Sequence, residues 1–431
     1  MKYLAKKIVN SVTLSQPTKN TLWMTSEKIA SAFSFIAVTS YVYKYIGPEA
    51  AGHLSLFFSV YQIIIAVSKW GGDSLIFKKA SRNSLTAIKL LHATRLFRVT
   101  VFCILSLPVE CYFYHSLNLE MFTLSFAVAI SSFIASTDGY TVLFNAMLKS
   151  KHNVTANVVG LLVSIIFRYG VVAFTLKAGY LSLPIIFSSA IIYGLKARKM
   201  KDHFSKKDIF GRIKKRRRYV RYLINSGWGI MLSSLWIVLY TQAQSIVIYY
   251  ELGSYELGIY SAALTLGTAS GFFINSLITS NFVSIFAEGS FIATFKTAKL
   301  LRLVFCISIC SYVFIYLFGS ALIALLYGDK FQQVNDIIFL VALSAIPSFM
   351  GTISYRYIIK KSGYSYLALK SFIVCIISLP LMWLLALSFG LKGVVISNLI
   401  IEILSLTILN YAFNKKDVMK LHLVAMKVRA L

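Results

Sequence analysis

Eight ionisable side chains interrupt stretches that are otherwise apolar: Glu27, Lys28, Lys69, Asp73, Asp138, Arg168, Lys370 and Glu402. In hydrocarbon such a group costs roughly 2.5–3.5 kcal/mol on insertion scales, so it usually faces protein or water. Two chemistries suit this set. Cations in a wet cleft can hold an anion through charge-assisted hydrogen bonds. Carboxylates in the same setting can carry a coupling proton, and Glu27, Asp73, Asp138 and Glu402 are the candidates. Glu27, Ser31 and Ser34 are spaced i, i+4, i+7 and share one helix face. Glu27 and Lys28 also lie close enough to the end of their run to snorkel into the interface. Lys69 and Asp73, spaced i, i+4, either pair with each other or face a cleft. Lys370 and Glu402 fall on consecutive runs and can form a structural pair. Arg168 and Asp138 lie deeper, and Arg168 is the foremost candidate for a cavity cation. Gln242, Gln244 and Asn275 are the uncharged polar candidates.

The elements that carry these residues are long. A spanning helix needs about 20 mostly apolar residues. Twelve such segments can be drawn, near 20–45, 52–75, 96–115, 119–148, 154–176, 179–195, 222–250, 257–285, 299–326, 336–359, 365–388 and 393–413. Hydrophobic residues make up 58% of the chain and charged ones 14%. A soluble domain carries about 25% charged residues, so a water-exposed globule is excluded. The net charge of +29 would suggest nucleic acid on a soluble surface. Here the bases cluster in short connections, which points to anionic lipid headgroups instead.

The largest cluster is the run from Lys196 to Arg221, KARKMKDHFSKKDIFGRIKKRRRYVR, almost at the midpoint. Lys and Arg concentrate on the cytoplasmic side of bilayers. With both termini cytoplasmic, alternate connections carry nearly all the basic residues. That assignment counts a 76–98 loop holding Lys78, Lys79, Arg82, Lys89, Arg95 and Arg98. The expected organisation is a cytoplasmic amphipathic N-terminus (1–19), a six-helix bundle (20–195), a basic linker (196–221), a second bundle (222–414) and a cytoplasmic tail (415–431). Lys2, Lys6 and Lys7 alternate with Tyr3, Leu4, Ile8 and Val9, as in a short helix on the membrane face. This start does not read as a cleaved signal peptide.

The halves share a motif. Tyr45-Ile-Gly47-Pro-Glu-Ala-Ala-Gly52-His-Leu-Ser55 follows the first segment, and Glu251-Leu-Gly253-Ser-Tyr-Glu-Leu-Gly258-Ile-Tyr-Ser261 follows the seventh. The common pattern is an aliphatic residue, Gly, four residues, Gly, two residues, Ser. Repeats of this kind mark two pseudo-equivalent bundles around a central cleft, the plan of alternating access. The fold class is therefore all-α: a polytopic membrane protein of twelve helices in two six-helix bundles.

No Gly-x4-Gly-Lys-Ser/Thr, His-Glu-x-x-His, Gly-x-Ser-x-Gly or Cys-x-x-Cys occurs. The six histidines scatter, so no metal site, cofactor or catalytic residue is expected. The five cysteines lie inside apolar runs and read as small buried hydrophobes. An oligosaccharide polymerase or ligase would want a sizeable outer loop, and the predicted outer loops are short.

The segment KNTLWMTSEKIASAFSFIAVTSYVYKYIGPEAAGHLSLFFSVYQIIIAVSKWGGDSLIFKKASRN resembles the opening of O-antigen and polysaccharide flippases of the multidrug/oligosaccharidyl-lipid/polysaccharide exporter superfamily. The matching features are the polar start of the first helix, the Tyr-Ile-Gly-Pro-Glu-x-x-Gly turn and Gly71 to Asp73 ahead of a basic loop. The turn from Leu326 to Phe331 is similar as well. The resemblance implies an inner-membrane transporter, not an enzyme, that moves undecaprenyl-pyrophosphate-linked oligosaccharide to the periplasmic leaflet under an ion gradient. It implies membrane lipids, an O-antigen polymerase and a chain-length regulator as partners. Bare pyrophosphate is too strongly hydrated to cross lipid. Lys28, Lys69 and Arg168 would replace part of that hydration, and Gln242, Gln244 and Asn275 suit sugar hydroxyls. The alternative is a multidrug or cation exporter of the same fold, which would want an acidic cleft.

Overall fold

The computed structural model describes residues 16–204 and 216–427, with side chains from 36 onward except 283, 287 and 415. The elements are α1 (Gln16–Lys69), α2 (Gly72–Ala80), α3 (Ser84–Ser116), α4 (Leu119–Thr137), α5 (Tyr140–Ala146), α6 (Lys151–Ala173) and α7 (Ser182–His203), then α8 (Arg216–Leu252), α9 (Ser254–Gly267), α10 (Gly271–Ala287), α11 (Ser290–Leu326), α12 (Ile338–Lys360), α13 (Tyr364–Leu406), α14 (Ile408–Tyr411) and α15 (Asp417–Met426). Short 3-10 turns complete the order, and no strand occurs among the described residues.

Among the described residues, nine helices are long and apolar enough to cross a bilayer, or ten if α9 and α10, bent by 49° at their junction, count as one span. Two of the nine are broken internally. Gly47 in α1 has φ 81° and ψ 171°, with Pro48 starting the next helical turn. Gly390 breaks α13 at φ 58°. Beyond it the chain folds back on itself: a Cβ on Gly393 would lie 1.9 Å from the Leu385 carbonyl oxygen. Residues eight apart in a straight helix are separated by about 12 Å. Large apolar side chains such as Ile104, Ile166, Leu317, Leu325, Leu387 and Phe389 cover the outside. A surface of that kind belongs in lipid. Cys111, Cys306 and Cys310 lie on this outer surface too, a correction to their expected burial; Cys375 is buried.

The repeat is visible in the backbone. Gly253 has φ 100° and ψ 171°, nearly the conformation of Gly47. A Cβ on Gly52 would lie 1.8 Å from the Ser254 oxygen, and one on Gly258 would lie 1.9 Å from the Pro48 oxygen. Ser254 stands to Gly258 as Pro48 stands to Gly52, so the contact is reciprocal, as across a two-fold axis. Around it one core joins Ala51, Leu54, Phe57 and Tyr61 to Leu257, Ile259, Tyr260 and Ala263. The halves touch again at the other end of these helices. Trp70 and Gly71 both have positive φ, and a Cβ on Gly227 of α8 would lie 2.3 Å from the Trp70 oxygen. The Trp70 and Trp228 rings sit 5.5 Å apart.

Helices run further than the apolar stretches. Most of 76–98 is helical in α2 and α3, which corrects the predicted loop and places Arg98 inside α3. Within the predicted linker, α7 continues to His203 and α8 begins at Arg216. Basic side chains at helix ends reach headgroups while the backbone stays hydrogen-bonded. The remainder of that linker, 205–215, and the first fifteen residues, which carry most of the expected amphipathic N-terminus, lie outside the described residues.

The expected tail contains α15, docked on α11 and α12 through Val418, Leu421 and His422. Arg302 of α11 donates to the carbonyls of Val424, Ala425 and Lys427 and so caps the C-terminus of α15. His422 bridges the hydroxyls of Ser354 and Tyr411. Burial holds its imidazole below the ordinary histidine range, consistent with a neutral ring. Arg302→Ala is expected to loosen the docked helix by about 2 kcal/mol, on the order of thirtyfold in its opening equilibrium. Limited trypsin digestion after Lys420 should accelerate accordingly; unchanged protection would show that the apolar face alone holds α15.

Candidate functional site

A cavity of about 710 Å³ lies where the two halves meet. Its walls come from α1, α6, α7, α8 and α9. Val38, Thr39, Val42 and Tyr43 precede the Gly47 break, and Leu54, Ser55, Phe58 and Ser59 follow it. In an unbroken helix Val38 and Ser59 would be about 30 Å apart. The Gly47 turn therefore brings two helix faces to one cavity. Ser55 and Ser261, the serines that end the repeated motif, both line it. The repeat thus supplies matching wall positions from each half.

Arg168 of α6 is the only Lys or Arg in the cavity wall among the described residues, and no Asp or Glu accompanies it. It has no ion pair or hydrogen bond to protein among the described residues, and Tyr43 lies within its electrostatic reach. An arginine with five free donors in a recess suits an oxyanion. The other polar groups of the wall are hydroxyls and amides, Ser164, Ser188, Ser245, Thr265, Thr268, Asn157 and Gln242, set among apolar side chains such as Val42, Leu54, Phe58, Leu161 and Ile165. Several hydroxyls donate to their own helix, Ser261 to the Leu257 carbonyl, Thr265 to Ser261 and Thr268 to Leu264. Their protons are engaged, so what these wall hydroxyls can still offer a ligand is acceptor capacity.

Of the residues expected from sequence, the cavity gathers Arg168 and Gln242. The side chains of Glu27 and Lys28 lie outside the described set. Lys69 is elsewhere, with its Nζ 2.8 Å from Asp73 Oδ2. Gln244, two residues from Gln242, turns away and bridges halves of the C-terminal bundle. It donates to Asn398 Oδ1 at 2.5 Å and accepts from the Tyr260 hydroxyl. Asn275 is half-buried on α10 outside the cavity wall. Glu402 lies in the C-terminal bundle, and Lys370 donates to Asn410 Oδ1 at 2.8 Å rather than closing an ion pair with it.

Asp138 has a structural task. Its Oδ1 accepts from the backbone N–H of Tyr140 and Thr141, capping α5, and its Oδ2 lies 3.3 Å from Lys196 Nζ. Lys196, expected in the linker, is 4% exposed inside α7. Asp138→Ala would leave that ammonium buried and unpaired, and is expected to destabilise the protein by about 3–5 kcal/mol. Thermal unfolding in detergent measures this, and adding Lys196→Met should restore most of the loss.

Sequence reading missed Arg98. Its side chain is fully buried, none of its three guanidinium nitrogens is hydrogen-bonded among the described residues, and Asp73 Oδ1 is 3.9 Å away. A Cβ on Gly72 would lie 2.5 Å from Arg98 Nη2, so the Gly71-Gly72 pair was the available signal for a bulky neighbour.

Residues 18–289 match the family described as "Polysaccharide biosynthesis protein". The chain belongs to that family. Compared with curated proteins, its sequence has no match. Among solved structures it is similar to an inward-facing multidrug resistance MATE family transporter of the MOP superfamily. The TM-score is 0.66 at 16% identity, over 90% of this chain and 95% of the other. The outward-facing form of such a transporter gives 0.64 at 15% identity, over 94% and 96%. A MOP superfamily transporter from Pyrococcus furiosus, described for a reversed polarity of its binding pocket that suggests a different function, gives 0.56 at 14% identity, over 94% and 96%. At these identities the likeness is one of fold. This member of the polysaccharide biosynthesis family is thus a polytopic membrane protein with a transporter architecture, and its cavity occupies the seam between the halves.

Proposed function

We propose that the protein is a flippase. It moves undecaprenyl-pyrophosphate-linked O-antigen oligosaccharide from the cytoplasmic to the periplasmic leaflet of the bacterial inner membrane by alternating access, driven by an ion gradient. The observation that carries this reading is the set of polar groups in the cavity: one unpaired arginine, no carboxylate, and hydroxyls and amides spaced among apolar side chains, all among the described residues. The Arg168 guanidinium would take phosphate oxygens in a bidentate fork. Asn157, Gln242 and the serine acceptors would take sugar hydroxyls, while the polyprenyl tail stays in hydrocarbon. Lys28 would add a second cation if its side chain enters the same space, and Lys69 would act only after leaving Asp73. Of the carboxylates expected to couple an ion, Asp73 and Glu402 lie outside the cavity wall. The twelve-span topology with cytoplasmic termini belongs to this reading. The breaks at Gly47 and Gly390, together with the α9–α10 bend, support it.

The second reading is a multidrug exporter, favoured by the fold neighbours. A cationic drug would meet Arg168 without a counter-charge in this wall, which disfavours it. The deciding experiment reconstitutes the protein in liposomes with fluorescent polyprenyl-pyrophosphate oligosaccharide in one leaflet. Protein-dependent movement to the other leaflet, with no protection of a drug-sensitive host, is expected. Drug efflux without lipid movement would overturn the proposal.

A further inference from the structure

Glu110 of α3 differs from the three carboxylates expected from sequence whose side chains are described, each of which has a cationic neighbour. Asp73 lies against Lys69 and Arg98, and Asp138 against Lys196. Glu402 lies within electrostatic reach of Lys370. Glu110 has no Lys, Arg or His in an ion pair or hydrogen bond with it among the described residues. Instead Oε1 accepts two hydrogen bonds, from the Tyr61 hydroxyl at 2.5 Å and the Ser125 hydroxyl at 2.7 Å. Oε2 is buried and has no partner among the described residues. Phe102, which stacks on Tyr61 and packs edge-on against Phe133, helps enclose the group.

Glu110 as a whole is half-buried, but its Oε2 is shielded from solvent, and a polar atom left there without a partner is costly. The arrangement shows what could partner it. Both protein donors converge on Oε1, as on the carbonyl oxygen of a carboxylic acid. Oε2 remains for the proton. Among the described residues, the side-chain oxygens gathered here are the two of the carboxylate and the hydroxyls of Tyr61 and Ser125. Of the elements packed against Glu110, α1 turns Tyr61 toward it and α4 turns Ser125; Tyr61 is the titratable neighbour.

The position also gives such a proton something to act on. The second half of α1 presents Leu54, Ser55, Phe58 and Ser59 to the cavity. From its other face Phe57 packs edge-on against Phe113 of α3, and Tyr61 holds Glu110. One rigid helix therefore touches the substrate cavity and the carboxyl group at once.

We propose that Glu110 is the site at which the protein takes up and releases the coupling proton, with Tyr61 and Ser125 holding its carbonyl oxygen and the second half of α1 relaying its state to the cavity. The step is protonation of Oε2 alone; no other bond is made or broken. This inference rests on the flippase reading for its role in transport, whereas proton binding itself does not depend on the substrate.

Infrared difference spectra of purified protein in nanodiscs, between alkaline and acid buffer, test proton binding. A protonated-carboxyl C=O band is expected in the wild type and is lost in Glu110→Gln, an isostere of the neutral acid. Tyr61→Phe keeps Glu110 but removes one donor from its carbonyl oxygen, so the same band should move to higher frequency. In liposomes, a pH gradient should accelerate lipid flipping by the wild type, and the ratio of rates with and without the gradient should fall to one in Glu110→Gln. The inference is overturned if Glu110→Gln retains the band, if Tyr61→Phe leaves its frequency unmoved, or if the gradient response survives in Glu110→Gln. A wild type that shows the band but flips no oligosaccharide lipid defeats the flippase reading and leaves the proton site standing.

Discussion

Arg168→Ala is expected to reduce oligosaccharide-lipid flipping by on the order of ten- to a hundredfold while leaving protein level and thermal stability unchanged. The size follows from the worth of a hydrogen bond to a charged group, about 1.5–3 kcal/mol. The selectivity for activity over stability follows from geometry. Arg168 lines the cavity and makes no ion pair or hydrogen bond to protein among the described residues, so truncation breaks none there. Arg168→Lys keeps the charge but loses the planar fork and should fall between the two. Oligosaccharide display in cells lacking the native copy, normalised to membrane protein level, is the first measurement. Initial flipping rates in liposomes are the second. Normal display by Arg168→Ala at a normal level would remove the cavity cation from the mechanism. Arg98 provides the contrast. It is as cationic as Arg168, yet it is fully buried beside Asp73, so its truncation should strike folding first.

Those two arginines also mark what the sequence could show. The membrane class followed from the length of the apolar runs, and the two-fold repeat from the spacing of Gly47 and Gly52 against Gly253 and Gly258. Arg168 stood out because apolar residues surround it on both sides. Arg98 and Lys196 did not, because each lies where a helix passes from lipid into a basic flank, and composition changes there while the helix does not. Gln242 and Gln244 show a different limit. Two helical residues apart means roughly 200° around the axis. One faces the cavity and the other donates to Asn398, and only the phase of the whole helix decides which. Pairing of Lys69 with Asp73 was legible as an i, i+4 spacing, since both partners belong to local sequence. Pairing of Asp138 with Lys196 was not, because it depends on how α4 and α7 pack.

Gly258→Ala and Gly52→Ala are expected to be the most disruptive single substitutions of their size. A Cβ on Gly258 would meet the Pro48 oxygen at 1.9 Å and its carbonyl carbon at 2.6 Å; one on Gly52 would meet the Ser254 oxygen at 1.8 Å. All of these are backbone atoms, so no side-chain rotation relieves the clash, and the halves must separate by more than 1 Å. Helices in membranes gain their association from close packing of small residues, which a single methyl group here removes. Overpacking against backbone at a rigid seam should cost about 3 kcal/mol or more in each variant. The seam is reciprocal, so the double variant should cost clearly less than the two singles together: once one methyl group has parted the helices, the second meets less. Gly351→Ala is the control, because nothing lies within 4 Å of its added carbon, and alanine in a helix should leave stability equal or slightly higher. Thermal unfolding in detergent separates these outcomes. If Gly258→Ala melted with the wild type, the close crossing at Pro48 and Ser254 would not be the seam that unites the halves. The cavity walls contributed by Ser55 and Ser261 would then need another support.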